Sequence, residues 1–117
     1  MARPLESPRG RLLEVVVLTY GTTTSICLSG EADLGSLQSL SESLASVDLS
    51  STVLVHLDVT GLEFCDVATV HELAGFAHSA RSQHLMVVTA GASPVLEKLA
   101  RLLGVDADLG IGDPWLL

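Results

Sequence analysis

The residues best placed to do chemistry lie in the run Leu62-Glu63-Phe64-Cys65-Asp66-Val67-Ala68-Thr69-Val70-His71-Glu72-Leu73, where an apolar strand and a short loop pass, at one acidic residue, into a helical pattern. A helix start presents unpaired backbone N–H groups and a partial positive charge, which suits it to anions and to phosphoryl switches. The residue after Asp66 is Val67, whose side chain has no hydroxyl to modify. Asp66 is also a good helix N-cap, worth about 1 kcal/mol in that role alone. Asp33 has the same dual reading before another helical stretch, and Asp58 sits at the polar end of a β-forming run. Their joint placement adds to this. Two successive strand ends followed by helix starts bring Asp33, Asp58 and Asp66 to one edge of a sheet, where open α/β sheets form their sites.

Catalytic chemistry has little support. There is no GxSxG elbow, no GxxxxGK phosphate loop and no GxGxxG. His56, His71, His78 and His84 lack the ligand spacing of a zinc site, although His71 and His78 lie two turns apart on one side of a helix. The expectation is a chain that is not an enzyme, with no metal and no cofactor. Cys27 and Cys65 fall in strand or strand-end positions without CxxC spacing, and read as buried thiols of a reducing compartment rather than a disulfide.

The elements that must position these residues follow from periodicity. Glu14 to Tyr20 is rich in β-branched residues, Thr23 to Ser29 alternates polar and apolar, and Gly21-Thr22 between them predicts a hairpin. Gly30 then breaks the strand, and Asp33 caps a helix with Leu37, Leu40, Leu44 and Val47 on its inner face. Thr52 to Val59 predicts a central strand buried on both faces apart from its polar end, followed by a loop from Gly61 to Cys65. The second helix carries Val70, Leu73, Ala74, Ala77 and Ala80 inward, and Val67, His71, Ala74 and His78 along one flank beside Gly75. A strand from His84 to Thr89 precedes a third helix with Ser93 as N-cap, Pro94 at its first position, Leu96, Leu99, Ala100 and Leu103 inward, and Gly104 past its end. The last segment offers at most a short edge strand around Leu109 to Ile111. The fold class is α/β: a single small mixed sheet of about four to five strands with helices packed on it.

The chain has 117 residues and 48% apolar content, which suits one domain. Residues 1–11 read as a flexible segment and 12–117 as the domain; Pro114-Trp115-Leu116-Leu117 is an apolar end. The formal charge is −8, and from Leu12 to Ala80 there is no Lys or Arg against nine acids. Such a surface repels phosphate backbones and anionic lipid heads, so neither nucleic acid nor membrane insertion is expected, and a basic patch on a protein partner suits it better. No stretch approaches the roughly 20 apolar residues that span a bilayer, and the first residues do not form a signal peptide, so the expected location is cytoplasmic.

Two stretches, Ser29-Gly30-Glu31-Ala32-Asp33-Leu34 and Val55-His56-Leu57-Asp58-Val59-Thr60-Gly61-Leu62-Glu63-Phe64-Cys65-Asp66, resemble the STAS domain, the module of anti-sigma factor antagonists and of sulfate transporter tails. The resemblance extends over residues 12 to 108, nearly the whole domain. It implies a sheet flanked by helices and a bacterial cytoplasmic role in signalling and transcription regulation. That role is exercised by binding a protein partner, an anti-sigma factor kinase or related subunit. The partner-binding residues it points to are Asp33, Asp66, Val67, Ala68 and His71; a homodimer is a separate option that the sequence leaves open.

The family pattern continues Asp-Ser-Ser/Thr-Gly, its first Ser being the phosphoacceptor; this chain has Asp66, Val67, Ala68 and Thr69. Val67 stands at the acceptor position and cannot be phosphorylated there. Thr69 lies two residues on, and at about 100° per residue it points roughly 200° away around the helix, as a packed or capping residue. The expected function is a non-enzymatic antagonist-type regulator without the usual switch. The alternative is a structural adaptor within a larger assembly, such as a transporter ATPase complex or a stress-signalling scaffold. A third option is a small ligand at the Asp33 and Asp66 edge, whose acidity disfavours nucleotides unless a metal ion intervenes. If the His71 and His78 flank is an interface, binding changes between pH 5 and 8.

Overall fold

In a computed structural model, which describes residues 12–111, the hairpin forms where the sequence places it. Strand β1 (Glu14–Tyr20) runs antiparallel to β2 (Thr23–Ala32), with Val17 opposite Ile26. Then follow a 3-10 turn (Leu34–Ser36), α1 (Leu37–Ala45), β3 (Leu54–Cys65), α2 (Val67–Ser82), β4 (Met86–Ala90), α3 (Pro94–Leu102) and α4 (Asp106–Leu109). The four strands form one mixed sheet in the order β1-β2-β3-β4, with β2, β3 and β4 parallel. The expected flexible segment 1–11 and the apolar end from Pro114 to Leu117 lie outside the described residues.

The core lies on one face of this sheet. Ile26 and Leu28 of β2, Val55, Leu57 and Val59 of β3 and Val87 of β4 are buried against Leu40 and Leu44 of α1, the inward stripe of α2, and Leu96 and Ala100 of α3. Period two along the strands meets period 3.6 along the helices, so each contributes one apolar face. The expectation that β3 is buried on both faces is not met. His56 projects from the face opposite the helices and is only partly buried, as is Asp58 at the expected polar end, and His56 Nδ1 lies 3.2 Å from the Ser25 hydroxyl.

Two strands run further than their residues suggest. Gly30 does not end β2, and Gly61 to Cys65 is not a loop: β2 continues to Ala32 and β3 to Cys65, paired through Ser29 with Gly61 and Ala32 with Cys65. The register shifts twice in this extension, and Gly30 takes a φ of 94°. At Gly61 the strands come so close that a Cβ would stand 2.8 Å from the Ser29 Cβ. The glycines therefore permit a bulged continuation. On the other side β4 turns away at Gly91, opposite Thr60, so β3 outruns it beyond Asp58.

The expected edge strand near Leu109 is instead the helix α4, ended by Gly110 at φ 70°. It is fastened by side chains rather than by strand pairing. The Thr89 hydroxyl donates to the Leu109 carbonyl at 2.6 Å, and Arg81 donates to the carbonyls of Asp108 and Val87, each at 2.8 Å. No helix among the described residues is long and apolar enough to cross a membrane.

Candidate functional site

The extended β2 and β3 end side by side, and both chains turn there into helical segments. The Asp66 N–H donates to the Ala32 carbonyl at 3.2 Å, which ties the start of α2 to the end of β2. Asp33 and Asp66 therefore occupy the same end of the sheet. Asp58 does not join them. It lies within β3, opposite Cys27 and the last residue of β4, with the N–H of Thr60 donating to its carboxylate at 3.0 Å. Hydrogen bonds from the Thr60 hydroxyl and backbone hold its carboxyl below the usual carboxylate range.

Each of the two remaining acids caps its own helical segment. Asp33 Oδ1 accepts from the Gly35 N–H at 2.9 Å, while the Asp33 N–H donates to the Ser36 hydroxyl at 3.1 Å. This reciprocal pair starts the 3-10 turn that leads into α1. Asp66 Oδ1 accepts twice from one residue, from the Thr69 N–H at 2.9 Å and from the Thr69 hydroxyl at 2.8 Å. Thr69 is 1% exposed. Its hydroxyl is turned inward and already committed, as the helical geometry requires of a residue two positions past the acceptor site.

Val67 is 46% exposed at the first position of α2, and His71 is exposed one turn later. Ala68 is partly covered. The expected flank is corrected at one position: Ala74 belongs to the buried stripe, and Gly75 stands in the exposed arc with Val67, His71 and His78. His78 is not a free end of that arc, because its Nδ1 lies 3.4 Å from Asp108 on α4. Beside the arc, a hollow of about 280 Å³ between α1 and α2 is lined by Leu44, His71, Glu72, Gly75 and Phe76 among others.

A larger groove was missed by reading β3 as ending at Val59. It measures about 390 Å³ and lies between the far end of β3 and the start of α3, lined by Val59, Leu62, Phe64, Cys65, Val95 and Leu96 among others. The signal was present in the alternation of Leu62, Glu63, Phe64 and Cys65, which has the period of a strand. Leu34, Phe64, Val67 and Val95 are exposed apolar side chains around this end of the molecule.

Burial, assisted by the adjacent Asp66 carboxylate, pushes the Cys65 thiol up to about 12, so it stays protonated. Cys27 and Cys65 are both free and partly rather than fully covered. Among the described residues no three His, Cys, Asp or Glu side chains gather to hold a metal ion. What the site offers is an acidic end of the sheet with apolar side chains beside it and a helix start bearing valine.

Comparison with known proteins agrees with this geometry. The chain superimposes on an anti-sigma factor antagonist from Mycobacterium paratuberculosis with a TM-score of 0.65 and 20% identity over 88% of this chain and 86% of that one. The phosphorylated form of the Bacillus cell fate determinant SpoIIAA gives 0.64 and 15%, over 82% and 86% of the two chains. An antisigma-factor antagonist STAS domain from Rhodobacter sphaeroides gives 0.61 and 20%, over 73% and 96%. At these identities the likeness is one of fold. No curated protein sequence matches the chain significantly. A family model described as "Mlab, STAS domain" matches residues 18–113. With four-fifths of its length under that model and a four-stranded mixed sheet covered by helices on one face, the chain belongs to the STAS domain family.

Proposed function

We propose that this chain is a protein-binding regulator of the anti-sigma factor antagonist type, without enzymatic activity of its own, whose partner face lacks the phosphoryl switch. Asp33, Asp66, Val67, Ala68 and His71 make up that face. The partner it fits is an anti-sigma factor kinase or a related subunit that meets an acidic surface with a basic one. The observation that carries the reading is the pairing of an exposed Val67 at the start of α2 with a buried Thr69 hydroxyl bound to Asp66. The acceptor position has a hydrocarbon, and the neighbouring hydroxyl is turned away from any enzyme. Phosphorylation would add nearly two negative charges to an acidic surface and so expel a basic partner. Without it, the face stays in its binding-competent charge state.

A second reading rests on the same loss of the hydroxyl, because a structural adaptor within a transporter ATPase complex or signalling scaffold needs no switch. Affinity capture separates the two. Recovery of a small ATP-binding kinase supports sigma regulation, and recovery of a transporter ATPase or scaffold subunit supports the adaptor. With the captured kinase and ATP, mass spectrometry should find no phosphate on this chain, while Val67→Ser should gain one and release the partner. Phosphate on the unaltered chain together with partner release would refute the proposal.

A further inference from the structure

Strand β1 stands at one edge of the sheet and pairs with β2 through seven unbroken residue pairs. Among the described residues no strand pairs with its outer edge. Alternate residues of such an edge point their N–H and C=O groups outward, ready to pair with another strand. Edge strands that stay single are usually blunted by Lys, Pro, a bulge or a covering element. In β1, Glu-Val-Val-Val-Leu-Thr-Tyr, there is neither Lys nor Pro, and its register with β2 carries no bulge. Its apolar side chains are bare on both faces: Val16, Leu18 and Tyr20 on the open face and Val17 on the helix face are between 41% and 62% exposed.

We propose that β1 pairs antiparallel with β1 of a second copy across a two-fold axis at Val17, joining two four-stranded sheets into one of eight strands. Antiparallel pairing of a strand with itself is self-complementary, as a two-fold interface requires. Full overlap of the seven residues sets Val17 opposite the partner's Val17, Val16 opposite the partner's Leu18, and Glu14 opposite the partner's Tyr20. The charges favour the same occupant. A chain with a formal charge of −8 repels its copies across most of its surface, but β1 carries one carboxylate, at one end. In this register the two Glu14 side chains stand roughly 20 Å apart, beyond the Debye length of about 8 Å at physiological salt.

An edge of seven residues buries on the order of 600 Å² in total, less than the roughly 1,200 Å² of a standard stable interface, so the dimer is a weak and reversible one. The pairing uses no residue of the α2 start. Each dimer therefore presents two partner faces, which raises avidity toward a multivalent partner.

The test is sedimentation of the full chain up to about 200 µM, a concentration that populates weak reversible dimers. The unaltered chain should shift from monomer to dimer with concentration. Val17→Lys, which sets two ammonium groups face to face at the axis, should remain monomeric with unchanged circular dichroism. Val17→Cys in a Cys27→Ala, Cys65→Ala background should form a disulfide dimer on mild oxidation, since opposed residues in antiparallel strands lie about 4.5–5.5 Å apart at Cα, within disulfide range. Val53→Cys in the same background, an exposed position off β1, should not. A monomer throughout the range, a dimer that survives Val17→Lys, or cross-linking no faster at position 17 than at 53 would each overturn the proposal. If Val17→Lys fails to fold, the cross-linking comparison decides.

Discussion

Replacing Asp66 with Ala should cost more than the loss of a helix cap, and the excess should vanish when Thr69 is changed to Val. The carboxylate accepts from both the backbone and the hydroxyl of Thr69, at 2.9 and 2.8 Å. Removing it forfeits about 1 kcal/mol of capping. It also strands a hydroxyl on a residue that is 1% exposed, where an unmet hydrogen bond costs about 1–3 kcal/mol. The expected total for Asp66→Ala is about 3 kcal/mol, a fall in Tm of about 10 °C or more for a domain of this size. In a Thr69→Val background no hydroxyl remains to be stranded, so the same substitution should cost about 1 kcal/mol, leaving a coupling of about 2 kcal/mol. Urea unfolding of the four proteins, compared at constant m, measures it. Equal costs of Asp66→Ala in both backgrounds would show that the Thr69 hydroxyl is not held by Asp66. The inward commitment of that hydroxyl, one support for the reading of an unswitched face, would then be lost.

Two further outcomes test other parts of the structure. A thiol at about 12 holds only about one thiolate in ten thousand at pH 8, against about a quarter for an ordinary cysteine, so alkylation of Cys65 in the folded chain should be slower than in the urea-unfolded chain by about three orders of magnitude. Because burial raises this thiol, the unfolded chain loses its proton first, and stability should fall as pH rises from about 9 toward 12; alkylation at the unfolded rate would refute both statements. Gly91→Ala should destabilise by about 3 kcal/mol in thermal or urea unfolding, because position 91 has a φ of 80° and a Cβ there would meet the Thr60 Cα at 2.8 Å. A cost under 1 kcal/mol would mean that β4 does not turn against β3 as described.

Helices α2 and α3 and the pairing of β1 with β2 were legible because their information is local. Ser93 and Pro94 start α3, and Ser93 caps it at 3.1 Å through the Leu96 N–H. The inward stripe Val70, Leu73, Ala74, Ala77 and Ala80 is buried in the order its spacing gives. The absence of a hydroxyl at Val67 and the inward turn of Thr69 also follow from residue type and helical angle alone. Three outcomes were settled only by long-range packing. Gly30 and Gly61 read as breaks, yet they let β2 and β3 approach and continue past the end of β4, which removed Asp58 from the site and opened the groove at Leu62 and Phe64. The Leu109 to Ile111 stretch has strand-forming residues, but hydrogen bonds from Arg81 and Thr89 hold its surroundings as a helix. His56, expected inside, stays only partly buried because the helices pack against the other face of β3. A residue's own torsional and capping preferences act over a few positions and can be read from the chain, whereas which glycine gap is filled by a neighbouring strand depends on groups brought together only by folding.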